Sequence, residues 1–223
     1  MRSTFEAVRV IVITDGLGSV EAVLPHLLIA HGKGALFSML VRDYGATPEA
    51  RVSFAGRVRA ALPASIPVLL AGAPAEARAA GVDGVHLGRR IATIAHARAV
   101  LGPEAWVSVP AHTARDVDVA AREGAYACLV SPVCETPDKG PPLGFSGLRS
   151  LLDVAHGAAV RVFALGGVGH GDVAACLRAG ASGVAVIRSV WHAPSPADAL
   201  VELAGAAARH TVGPPDREVG GPE

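Results

Sequence analysis

Cysteine is scarce in this chain, and the three present, Cys128, Cys134 and Cys176, are widely spaced. They make no CxxC pair and no even-numbered framework, which argues against a disulfide scaffold or a thiolate zinc site. Buried thiols in a reducing compartment fit them better. Charge of one sign is also missing. Lys and Arg number 20, Asp and Glu number 20, so no global field draws nucleic acid or a membrane surface. Apolar runs are too short to span a bilayer. Met1-Arg2-Ser3-Thr4-Phe5-Glu6 has no apolar stretch after its arginine, so no signal peptide is expected and the expected location is cytoplasmic.

What the chain does have is apolar residues in short, β-branched packets. Half of it is apolar, at 51%, enough over 223 residues for one barrel or one large α/β core. The packets fall at 8–13, 35–41, 66–70, 84–87, 106–109, 126–131, 160–165 and 183–187. Runs this apolar belong to strands buried on both faces. Helix-patterned segments separate them. Thr47, Thr113 and Ser195 stand where N-caps belong, and Pro48 takes a first helical position. Eight strand–helix units without a linker predict an α/β fold, a single (β/α)8 barrel with parallel strands, over 1–210. Residues 211–223 have the composition of a disordered tail.

In such a barrel, ligand chemistry sits at the carboxyl ends of the strands. The unit from 160 to 191 ends its two strands in Gly166-Gly167 and in Ile187-Arg188-Ser189. Loops after strands seven and eight commonly bind phosphate through backbone N–H groups. Glycine there admits close approach, although a tight strand-to-helix turn also calls for it. Gly166, Gly167, Ile187, Arg188 and Ser189 are therefore the expected phosphate site.

Several strand ends, taken together, resemble the thiamine phosphate synthase family and its relatives, the thiazole tautomerases. They are Val-Ile-Thr-Asp at 12–15, Leu-Val-Arg-Asp at 40–43 and Ala-Gly-Val-Asp-Gly-Val-His-Leu-Gly at 80–88. Ser-Pro-Val-Cys-Glu-Thr-Pro-Asp-Lys-Gly at 131–140, Pro-Pro-Leu-Gly at 141–144, Ala-Leu-Gly-Gly-Val at 164–168 and Gly-Val-Ala-Val-Ile at 183–187 complete the set. The resemblance implies a phosphorylated thiazole as ligand and a barrel fold; from the charge balance no nucleic acid or membrane partner is expected, and a homodimer is possible. For a synthase it also implies Mg²⁺, held by two aspartates against a leaving diphosphate. This chain departs from that pattern. Ala71-Gly72-Ala73 replaces Asn-Asp-Arg, Ile91 replaces the second metal aspartate, and Leu40, Tyr44 and Asp138 replace Gln, Lys and Thr. No metal residue is therefore expected, and no cofactor unless the synthase reaction survives.

Retained from the pattern are Arg42, Ser108, Thr136 and Lys139, the expected anion- and substrate-binding set. Lys139 is either a ligand contact or a solvated loop lysine. Arg42 either meets an anion or pairs with Asp43 or Asp15. Arg89-Arg90 either supplies charge beside the missing metal site or simply faces solvent on a helix start. His86 reads as a core histidine. The tautomerases place a histidine just after strand five. His112 lies two residues beyond that place and either carries the proton transfer or merely precedes the helix capped by Thr113. With the metal aspartates gone, the sequence reading favours a tautomerase-like enzyme. The synthase and a non-catalytic phosphometabolite-binding barrel stand as alternatives.

Overall fold

The structure is a computed structural model that describes residues 2–14, 16, 19–88, 91–137, 139–154 and 160–210. Asp15, Arg89, Arg90, Asp138 and the tail from 211 lie outside the described residues. The elements run α1 (Arg2–Ala7), β1 (Val10–Ile13), α2 (Val20–Gly32), β2 (Ser38–Val41), α3 (Pro48–Ala61) and β3 (Val68–Ala71). Then come α4 (Pro74–Ala79), β4 (Gly84–His86), α5 (Ile94–Leu101), β5 (Trp106–Ala111), α6 (Ala114–Arg122) and β6 (Ala127–Val130). The last are α7 (Gly144–Val154), β7 (Arg161–Leu165), α8 (Val173–Arg178), β8 (Gly183–Val186), α9 (Arg188–Trp191) and α10 (Pro196–Arg209). The eight strands pair in sequence order, all parallel, and β8 closes on β1. The protein is a single (β/α)8 barrel.

Local chemistry starts the helices where the sequence says. Thr47, Thr113 and Ser195 each accept a hydrogen bond from the backbone N–H three residues on. Asp116 completes a capping box with Thr113, satisfying two otherwise orphaned donors.

Alternation along the strands sorts the core into two shells. Ile11, Leu40, Leu69, Trp106, Phe163 and Ala185 belong to one buried cluster, which fills the barrel. Val12, Met39, Leu70, Val107 and Val184 join the other cluster, packed against the helices. Large and small residues interlock inside. A Cβ at Gly84 would lie 2.1 Å from the Trp106 carbonyl oxygen, and one at Gly183 would lie 2.7 Å from the Phe163 ring. Helix α1, which the sequence reading does not anticipate, closes the amino-terminal end. Phe5 is buried there, its ring 5.3 Å from that of Trp106, and Arg161 donates to the carbonyls of Phe5 and Val8. With that end plugged, the opposite rim is where a ligand can enter.

Candidate functional site at the carboxyl ends of the strands

A cavity of about 540 Å³ opens at this rim, bounded by the ends of β2, β6, β7 and β8. Its floor on the β8 side is built by a sharp exit from the sheet. Ile187 turns the chain out at φ −129°, ψ −84°, and its carbonyl accepts from Val190 and Trp191 to start α9. The first N–H groups of a helix have no acceptor within it, so those of Arg188 and Ser189 suit an anion. The indole of Trp191 donates to the Ile13 carbonyl at 2.8 Å, which holds α9 against β1. The Ser189 hydroxyl is buried and has no hydrogen-bond partner, although it belongs to the cavity wall. A buried hydroxyl left unpaired is unfavourable, and a bound acceptor would relieve it. Arg188 lies exposed on the same wall.

The glycine pair makes a tight turn, one of the two roles the sequence allows. Gly166 and Gly167 have φ of +95° and +66°, where side chains are strained. A Cβ on Gly167 would sit 2.1 Å from the Glu135 carbonyl oxygen, and one on Gly166 would sit 2.9 Å from the Pro132 Cα. Glycine is required here because the β6–α7 loop presses against the turn. A side chain at 167 would strike that loop. The same loop is laced to β7 beyond the strand ends. Val133 donates to the Leu165 carbonyl and Cys134 to the Gly166 carbonyl, both at 2.9 Å. Thr136 donates its hydroxyl to the Cys134 carbonyl at 3.0 Å, and Lys139 stands exposed at the rim. Both residues line the cavity.

Across the cavity, Thr14 clamps the backbone of Arg42, accepting from its N–H at 2.7 Å and donating to its carbonyl at 2.9 Å. The Asp43 carboxylate accepts from the N–H groups of Gly45 and Ala46, which makes it a turn former. Arg42 reaches the cavity, its guanidinium 5.4 Å from the centroid of the Tyr44 ring. Tyr44 also lines the cavity, a place the sequence reading missed. An aromatic at a strand end, in a chain with two tyrosines, was the available signal.

The structure thus brings together Arg42, Thr136, Lys139, Gly166, Gly167, Ile187, Arg188 and Ser189. Two expected residues are not on this wall. Ser108 is fully buried inside the barrel, its hydroxyl 3.0 Å from His86 Nδ1. Burial, then the charge of Arg42, push the His86 imidazole down to a pKa of about 4, so it is neutral near pH 7. His112 is exposed just past β5. Its Nδ1 lies 2.6 Å from the Ser131 carbonyl oxygen, which requires that nitrogen to carry the proton. Ser131 borders the cavity, and the His112 ring is one residue behind that border.

Mg²⁺ takes carboxylate and water ligands, and the ends of β3 and β4 do not fit it. Gly72 has no side chain. The space a Cβ would take there lies 2.5 Å from Glu76 Oε2, which Arg51 holds in an ion pair at 3.1 Å. At the next strand end the Ile91 Cδ1 methyl fills the space over Gly88. Among the described residues no group of three or more His, Cys, Asp or Glu side chains could hold a metal ion. Also among them, no helix is long and apolar enough to cross a membrane.

The family model described as thiamine monophosphate synthase matches residues 10–190. A thiamine-phosphate synthase of Roseiflexus castenholzii is 32% identical over 207 residues, covering 90% of this chain and 88% of that protein. The thiamine biosynthesis bifunctional protein ThiM/ThiE of Symbiobacterium thermophilum is 40% identical over 136 residues, 60% of this chain but 26% of that protein. In the solved thiamine phosphate pyrophosphorylase of Pyrococcus furiosus the same fold recurs, with a TM-score of 0.77 at 21% identity, over 92% of this chain and 97% of that one. By the extent of the family match and of its full-length relatives, the chain belongs to the thiamine monophosphate synthase family.

Proposed function

We propose that this barrel binds thiazole phosphate in thiamine biosynthesis, with the phosphate between the β7 turn and the start of α9. The observation that carries the reading is the unpartnered Ser189 hydroxyl, buried in a cavity wall beside helix N–H groups. Arg188 and Lys139 add charge at the same rim, and charge-assisted bonds to phosphate are the stronger ones. The reaction favoured by the relatives' names is condensation to thiamine phosphate. There the thiazole nitrogen attacks the carbon from which a diphosphate departs. Arg42 and Lys139, on opposite sides of the cavity, are two cations placed to meet the leaving charge. The ends of β3 and β4 offer no carboxylate for Mg²⁺, so the condensation is to be assayed both with and without the metal.

A second reading is thiazole tautomerisation. The lack of carboxylates at Gly72 and Ile91 favours it. His112 would move the proton through Nε2, because Nδ1 is committed to the Ser131 carbonyl. Purified protein, given thiazole phosphate with and without the pyrimidine diphosphate, separates the two. Thiamine phosphate formed in the presence of a chelator supports condensation. Isomerised thiazole lost in His112→Ala supports the second reading. Thiazole phosphate that does not bind at all rejects both.

A further inference from the structure

The cavity has a feature that a phosphate does not use. Tyr44 follows β2 at the rim, 79% exposed, and belongs to neither core cluster. The chain's other tyrosine, Tyr126, packs with Trp106 at the plugged end, their centroids 4.7 Å apart. A lone exposed aromatic on a convex surface would need no explanation. Tyr44 instead walls a concavity, and Arg42 stands over its ring at 5.4 Å, within cation–π range. That contact fixes one side of the ring, and the high exposure leaves most of its surface open to a ligand.

Placement argues for a particular ligand. Strand β1 separates β2 from β8. Neighbouring strands lie about 4.8 Å apart, so Tyr44 stands roughly 10 Å around the wall from the β8 end. That suits a phosphate ester whose short carbon arm carries a flat ring: phosphate at α9, ring over β1 and β2.

We propose that Tyr44, steadied by Arg42, recognises the planar heteroaromatic part of the substrate by stacking and sets selectivity for aromatic over aliphatic phosphate esters. This rests on the phosphate site proposed above. Calorimetry on the full chain tests it with three probes: thiazole phosphate, glycerol phosphate and inorganic phosphate. Tyr44→Ala should weaken thiazole phosphate by roughly two- to twelve-fold, the range of an aromatic pair, and leave the other two unchanged. Tyr44→Phe should bind all three like the parent. An unchanged affinity for thiazole phosphate in Tyr44→Ala, or an equal loss for all three probes, overturns the stacking role. A parent that binds none of the three overturns the phosphate site itself and this inference with it.

Discussion

Ser189 shows how one residue's environment separates stability from binding. Its hydroxyl is buried without a partner, so the ligand-free protein bears the desolvation of that group. Ser189→Ala should therefore unfold at the same temperature as the parent or a little higher. It should also bind inorganic phosphate roughly 10- to 150-fold more weakly, the scale of one hydrogen bond to a charged group. Thermal unfolding and calorimetry on the same sample check both halves. A lower unfolding temperature would mean that the hydroxyl is structural. The sequence pointed to Ser189 by its place after the eighth strand, but not to its burial. Burial depends on how Trp191 ties α9 to the Ile13 carbonyl, 178 positions away. Tyr44 was legible only as a departure from the family pattern, because its place in a cavity wall needs β6 to β8 to complete the cavity. For His112, spacing alone could not show that Nδ1 is engaged by Ser131.

The β6–α7 loop and the β7 turn behave as one element. Gly167 permits their contact, with φ of +66° and the Glu135 oxygen 2.1 Å from where a Cβ would be. Gly167→Ala should destabilise the protein by about 1–3 kcal/mol, from strain and overpacking. It should also weaken thiazole phosphate binding, because Thr136 and Lys139 ride on the displaced loop. Denaturant unfolding with parallel calorimetry reads both, and a variant with parental stability would refute the packing account. Most elements were legible, because short β-branched packets and N-cap residues are local signals. Strand ends moved by a few residues: the packet at 35–41 yields a strand only from Ser38. Helix α1 was not legible. Its six residues carry little pattern of their own, and it is held by tertiary contacts of Phe5 and by Arg161.

For the whole molecule, the buried His86 gives stability a pH dependence. The unfolded chain binds a proton at the ordinary imidazole value of 6.5, whereas the folded chain binds it at about 4. Between those values the unfolded state holds more protons, so stability falls as pH drops from 6.5 to 4 and levels off below. At ~1.4 kcal/mol per tenfold change in proton affinity, the loss is about 3 kcal/mol. His86→Gln should flatten this slope above pH 4.5. The carboxylates of Glu21, Glu49 and Asp198, held below their usual range, contribute only at lower pH. Denaturant midpoints measured from pH 7 to pH 4.5 decide it, and parallel slopes in parent and variant would place the titration elsewhere. Barrel closure itself was readable from eight alternating units, a number and length that favour a closed barrel over an open doubly wound sheet. The lacing of the β6 loop to β7 was not, and it divides the rim into unequal halves. The β6 loop and the β7 turn share two backbone bonds, Val133 to Leu165 and Cys134 to Gly166, and so change together. The ends of β3 and β4 take no part in that lacing: Gly72 donates instead to the His86 carbonyl, and Ile91 to that of Gly88. The barrel is modular in that sense: the ends of β3 and β4 can be rewritten without disturbing the contact between the β6 loop and the β7 turn.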